Sequence, residues 1–248
     1  MRHWLWVPLS LLAFPATAAP ILNGSFETGD LTGWNITVDL SFMTVGDEPV
    51  DFEELPFDFF DGFPSFKPQV FEHHFYDPVD GGYYAELQGT IGSSNDFEGY
   101  LTDGAGTITL TQEVTLQAGD LITGATALFT RDYPPYDTDR AFVTVSGAHG
   151  TDEIIKVSVR DAFGETWLTA SDGPAQSAWV PWSWRAPLSG TYTLTLGNRM
   201  DDQEDSYAAF DDIRVQSVPE PSTLWLLTVA CLAARCHRPK KGASASQP

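Results

Sequence analysis

Residues 107–116 read TITLTQEVTL, which sets Ile108, Leu110, Val114 and Leu116 on one side of the chain, interrupted only by Gln112, and four threonines and a glutamate on the other. A period of two is the signature of a half-buried β-strand, and a helix of 3.6 residues per turn would scatter those apolar side chains around its circumference. Similar runs recur at 121–130, 140–147, 154–161, 179–186, 191–197 and 207–216, parted by turn segments such as 118–120 and 188–190. Outside the two terminal apolar segments no stretch sustains a helical period. The pattern predicts an all-β chain folded as a single antiparallel β-sandwich of the jelly-roll kind, with no second domain and no internal repeat.

Charge narrows the partners. Five of the 13 basic residues lie in the terminal segments and all 34 acids lie between them, so residues 19–220 carry 8 basic residues against 34 acids, a net charge of −26. Such a surface repels phosphate backbones and anionic bilayers, which excludes nucleic acid as a partner. Both cysteines, Cys231 and Cys236, sit in the C-terminal tail, so no intrachain disulfide staples the sandwich. At about 200 residues the intervening chain is long enough to bury a core of its own.

The N-terminus reads as a secretory signal peptide spanning 1–18. One early charge, Arg2, precedes an apolar stretch from Trp4 to Leu12 and the small-residue pattern Ala16-Thr17-Ala18. Cleavage after Ala18 starts the mature domain, 19–217, at Ala19 and keeps Pro20 away from the scissile bond. Within that domain, residues 46–66 depart from the strand rhythm and pack seven acids among six phenylalanines. The segment is expected to be either a binding lid or an insertion loop with its rings tucked under the sandwich and its acids in water.

The ends of the domain carry a resemblance. Asn23, Gly24, Phe26, Glu27 and Gly29, followed by Gly33-Trp34, match the opening of the galactose-binding-like jelly rolls, a group that includes several families of carbohydrate-binding module. Asp211, Asp212 and Ile213 match its closing strand, and residues 189–202 resemble its penultimate one. The resemblance implies a structural Ca2+ between the first and last strands. Calcium takes six to eight oxygens from carboxylates and carbonyls, and the candidates are Glu27, the Gly29 carbonyl, Asp30, Asp211 and Asp212. Strict alternation puts Asp211 on the core side with Ile213 and Val215, and Asp212 outward with Arg214.

The same resemblance implies sugar binding on aromatic faces. Trp182 and Trp184, which share a face of one strand, are the candidates for stacking against carbohydrate, although large aromatics more often fill a sandwich core. Nothing reads as catalytic. His73 and His74 adjoin Glu72 and Asp77, but neighbouring imidazoles are not expected to converge on one ion, and no hydrolase, metalloprotease or phosphate-loop motif is present.

At the C-terminus, Pro219-Glu220-Pro221 precede an apolar run of eleven residues, 224–234, and then Arg235, Arg238, Lys240 and Lys241. That run is short against the roughly 20 residues of a typical bilayer span. Motif, run and basic end together, residues 218–241, resemble the PEP-CTERM sorting signal of exported proteins in Gram-negative bacteria that make extracellular polysaccharide. The resemblance implies a short transmembrane helix that holds the chain in the inner membrane until an exosortase, a membrane enzyme, cuts near the motif. The expected product is a non-enzymatic protein of the cell surface or extracellular matrix that binds polysaccharide; the alternatives are a purely structural component without soluble ligand and, behind it, a polysaccharide-active enzyme.

Overall fold

The computed structural model describes residues 20–42, 44–45, 48–49, 65–90, 105–167, 173–200 and 204–217. The signal peptide (1–18), most of the acidic phenylalanine-rich segment and the sorting signal (218–241) lie outside the described residues. In chain order the elements are β1 (Asn35–Phe42), β2 (Thr44–Val45), β3 (Glu48–Pro49), β4 (Ser65–Phe71), β5 (Tyr84–Thr90), β6 (Ala105–Leu116) and β7 (Leu121–Thr130). They continue with β8 (Arg140–Gly147), β9 (Gly150–Ser158), α1 (Val159–Phe163), β10 (Ala175–Gln176), β11 (Val180–Arg185), β12 (Gly190–Met200) and β13 (Ser206–Gln216).

Two antiparallel sheets face each other. One has the order β1-β6-β12-β8-β9; the other has β10-β7-β13-β5-β4, with β11 also paired to β7. The alternation in β6 is what assembles the first sheet. Leu196 of β12 lies opposite Leu110 of β6 on one side and Val143 of β8 on the other, so the three form an inward apolar row. Ile108, Leu110, Leu116, Val143, Val145, Leu194 and Leu196 are all fully buried, and Leu87, Ile122, Leu128 and Phe210 meet them from the second sheet. Each such side chain contributes about 1.5–3 kcal/mol on leaving water.

Six strands, β1 to β5 and β10, fall outside the runs that alternation marked. In β5 the residues facing away from the main core are Tyr84, Glu86 and Gln88, and all three are wholly or partly covered, so polarity does not report their burial. The run expected to stay extended through 161 instead leaves the sheet at Ser158 and turns into α1. There the Asp161 carboxylate accepts the Ser158 N–H at 2.8 Å and the Ser158 hydroxyl at 3.0 Å. A serine three residues before an acid is a helix-start signal, and here it overrides the preceding strand pattern.

The last strand holds the main correction. Ala208, Phe210 and Ile213 face the core between the sheets, whereas Ala209 packs with Tyr84 in a second cluster on the opposite face. Two residues, not one, separate Phe210 from Ile213. The register of β13 against β7 shifts between Asp211 and Arg214, and Asp212 adopts φ 56°. This β-bulge resets the alternation, so Asp211 sits on the outer face with Ala209 and not beside Ile213.

Candidate functional site

The opening motif works as a set of backbone devices. Asn23 and Phe26 both take positive φ, 51° and 57°, which is ordinary for asparagine and rare for phenylalanine. That turn drives Phe26 into the core, where it stacks on Trp34 at 5.8 Å, and the Trp34 indole N–H donates to the Asn23 carbonyl at 3.2 Å. Gly24 touches the closing strand: its carbonyl accepts the Ile213 N–H at 3.0 Å, and a Cβ at this position would lie 2.1 Å from the Ile213 oxygen. First and last segments are thus joined through main chain.

The acids of the two motifs turn to one loop, 79–83. Asp211 is fully buried, and its Oδ2 accepts the N–H groups of Val79 (2.6 Å) and Asp80 (3.0 Å) while Oδ1 accepts that of Asp212 (2.6 Å). Glu27 Oε1 accepts from Gly82 (2.9 Å) and Tyr83 (3.1 Å). Gly81 has φ 68°, and a Cβ there would fall 2.2 Å from the Glu27 carboxyl carbon, so only glycine lets this carboxylate reach. Arg214 pairs with Asp80 at 2.5 Å and with Asp212. Burial raises Asp211 to about 6 in spite of the N–H bonds from Asp80, Asp212 and Val79, with Asp212 pushing in the same direction as burial.

The five candidate calcium ligands are not gathered into a cage in this arrangement. Asp30 is exposed, and its Oδ1 accepts the Thr28 hydroxyl at 2.6 Å and the Thr32 N–H at 3.0 Å, which hold its carboxyl below the usual range. Gly29 donates its N–H to the Phe26 carbonyl. Among the described residues no group of three histidine, cysteine or acidic side chains is placed to hold a metal ion. A carboxylate offers about four lone-pair sites; Asp211 has spent three on N–H groups, which leaves it at most one for a cation that needs six oxygens or more.

The tryptophans are placed differently from the sugar platform expected of them. Trp182 is only 7% exposed, lies over Gly124 and donates its indole N–H to Thr126 Oγ1 at 3.0 Å. Trp184 packs on the edge of the same core, donating to Asp152 Oδ2 at 2.8 Å and meeting Tyr192 edge-on at 5.2 Å. Trp182 is interior and Trp184 half-buried beside it because β11 turns that face toward the core. His73 and His74 part company as expected, His73 to Asp77 and His74 to Glu86.

What alternation did not reveal is an aromatic shelf on the outer face of the second sheet. Tyr84 of β5, Phe129 of β7 and Tyr207 of β13 stand there around the small residues Ala127 and Ala209. Phe75, from the 72–83 loop, stacks on Phe129 with centroids 3.7 Å apart and planes at 8°, and it meets Tyr207 at 4.9 Å. Beneath them the fully buried Glu86 is paired with His74 Nδ1 (2.9 Å) and accepts from the Tyr84 hydroxyl (3.1 Å) and Gln88 Nε2 (2.9 Å). Burial, then the acids nearby, raises the Tyr84 phenol and pushes that of Tyr207 to about 12, so both remain hydrogen-bond donors.

At the end of the shelf an open cavity of about 400 Å3 is lined by Phe129, Arg131, Tyr133, Gly173, Pro174 and Glu204. These come from the ends of β7 and β13 and the approach to β10. Two aromatic rings, one guanidinium and one carboxylate converge on a space large enough for a small ligand. In sequence the only available hint was the aromatic-rich character of 129–136, which alternation alone cannot place.

No protein-family model and no curated sequence matches the chain. Among solved structures, the carbohydrate-binding module TmCBM61 in complex with β-1,4-galactotriose aligns with a TM-score of 0.42 and 15% identity, covering 81% of this chain and 99% of that one. The K1 cleaved adhesin domain of Lys-gingipain from Porphyromonas gingivalis W83 aligns with a TM-score of 0.42 and 13% identity, over 82% and 99%. TmCBM27, described for mannan recognition, gives 0.38 and 10%, over 81% and 95%. Similarity at this level assigns neither ligand nor role to this chain.

Proposed function

We propose that this protein is an exported, non-enzymatic carbohydrate-binding module whose glycan site is the outer face of the second sheet at the cavity beside Phe129. The observation that carries this is the lining itself. Tyr133 and the part of Phe129 that Phe75 leaves uncovered supply apolar ring surface suited to the C–H face of a sugar, and Arg131 and Glu204 supply a donor and an acceptor for hydroxyls. The strong negative charge of the domain disfavours polyanionic chains, so neutral glycans fit best.

Export and release belong to the same reading. The signal peptide at 1–18 sends the acidic domain across the inner membrane, and the Pro219-Glu220-Pro221 signal holds it there for an exosortase, after which it joins the cell surface or extracellular polysaccharide. A second reading, a structural matrix protein without soluble ligand, draws on the burial of Trp182 and of the floor of the shelf. A glycan array probed with the recombinant domain separates the two. Binding that falls about tenfold in Tyr133→Ala with an unchanged melting temperature supports the module, and an array with no signal supports the structural protein.

A further inference from the structure

We infer that Glu27 and Asp211 form a metal-free staple that fixes the 79–83 loop by hydrogen bonds to its backbone, and that through this loop they act as positioning residues for the aromatic shelf. The two carboxylates come from opposite ends of the domain and divide one loop between them. Asp211 takes the N–H groups of Val79 and Asp80, Glu27 those of Gly82 and Tyr83, and Gly81 between them has the positive φ and the missing side chain that let Glu27 approach. Arg214 closes the arrangement from outside through Asp80 and Asp212. Four of five consecutive amides are thereby satisfied by side chains, the accounting expected of a loop that has no strand partner.

The staple has a target. The stretch leading into the stapled loop lays Phe75 on Phe129 and buries Tyr76, and the Trp179 indole N–H donates to the Asp77 carbonyl at 3.0 Å. A buried ionised carboxylate is costly to desolvate, so what Asp211 contributes is the position of this segment. The link to a ligand rests on the glycan-site reading. The staple does not.

Residue-resolved hydrogen exchange on the full-length protein in detergent tests it, because exchange reads the loop whether or not any glycan binds. The amides of Val79, Asp80, Gly82 and Tyr83 are expected to exchange equally slowly in millimolar calcium and in chelator. Glu27→Ala is expected to speed Gly82 and Tyr83 by about tenfold or more while the β6–β12 ladder stays protected. Asp211→Ala is expected to do the same at Val79 and Asp80, and Asp211→Asn, which keeps an acceptor oxygen without the charge, is expected to restore part of that protection. Glu27 is exposed, so its variant carries the test if an Asp211 variant does not fold. Slow exchange that requires calcium, or Gly82 and Tyr83 unchanged in Glu27→Ala, overturns the proposal.

Discussion

Varying the pH between 4 and 7.5 tests how Asp211 is held. Its carboxyl is raised from 3.8 to about 6, first by burial and then by Asp212, against the opposing hydrogen bonds. A group whose folded value is raised binds its proton more tightly in the folded chain. Its contribution to stability is therefore fully present below pH 3.8 and is lost as pH rises through about 6. A shift of roughly two units corresponds to about 3 kcal/mol, and the side chain is fully buried, so solvent screening removes little of it. The assay is urea unfolding of wild type and Asp211→Asn at a series of pH values, since the difference between them cancels the titration of every other group. Wild type is expected to lose about 2–2.5 kcal/mol relative to the variant between pH 4 and 7.5, most of it between pH 4 and 6. A difference that is flat with pH, or one in which wild type gains stability over the variant as pH rises, refutes the reasoning. The second outcome signifies a depressed carboxyl, as a bound cation would produce.

Gly24→Ala sets a methyl group against the Ile213 carbonyl, a main-chain atom with nowhere to go, and is expected to cost about 1–3 kcal/mol by chemical denaturation. Trp182→Ala empties a packed site over Gly124 and strands Thr126, for an expected loss of about 3–5 kcal/mol; glycan binding measured on the folded fraction is expected to stay unchanged, because this ring faces the core. Replacing Pro219-Glu220-Pro221 by three alanines is expected to leave an uncut precursor in the inner-membrane fraction on immunoblots of the native host. Release of the variant at normal size would defeat the sorting assignment.

The bounds of the strand runs 121–130 and 140–147 were legible residue for residue, and in 140–147 alternation also gave the buried face, whereas in 121–130 the apolar Ala127 and Phe129 turn to the outer face beside Ile122 and Leu128 in the core. The opening motif was legible because Asn23, Gly24, Phe26 and Trp34 answer local backbone demands that hold wherever the turn occurs. Alternation failed where pairing intervened. One extra residue in β13 moved Asp211 to the other face, and a bulge is a property of two strands, so a single strand's pattern does not announce it. Trp182 and Tyr207 look alike in sequence, each an aromatic in an alternating run. One became core and the other shelf because of which face each strand turned toward the opposing sheet. The cavity was the least legible part, since Phe129, Pro174 and Glu204 lie far apart along the chain and meet only because β10 and β13 both pair with β7. Side-chain periodicity follows from the covalent geometry of one strand and is therefore written in the sequence, whereas neighbours across a sheet are chosen by hydrogen bonding among many strands at once.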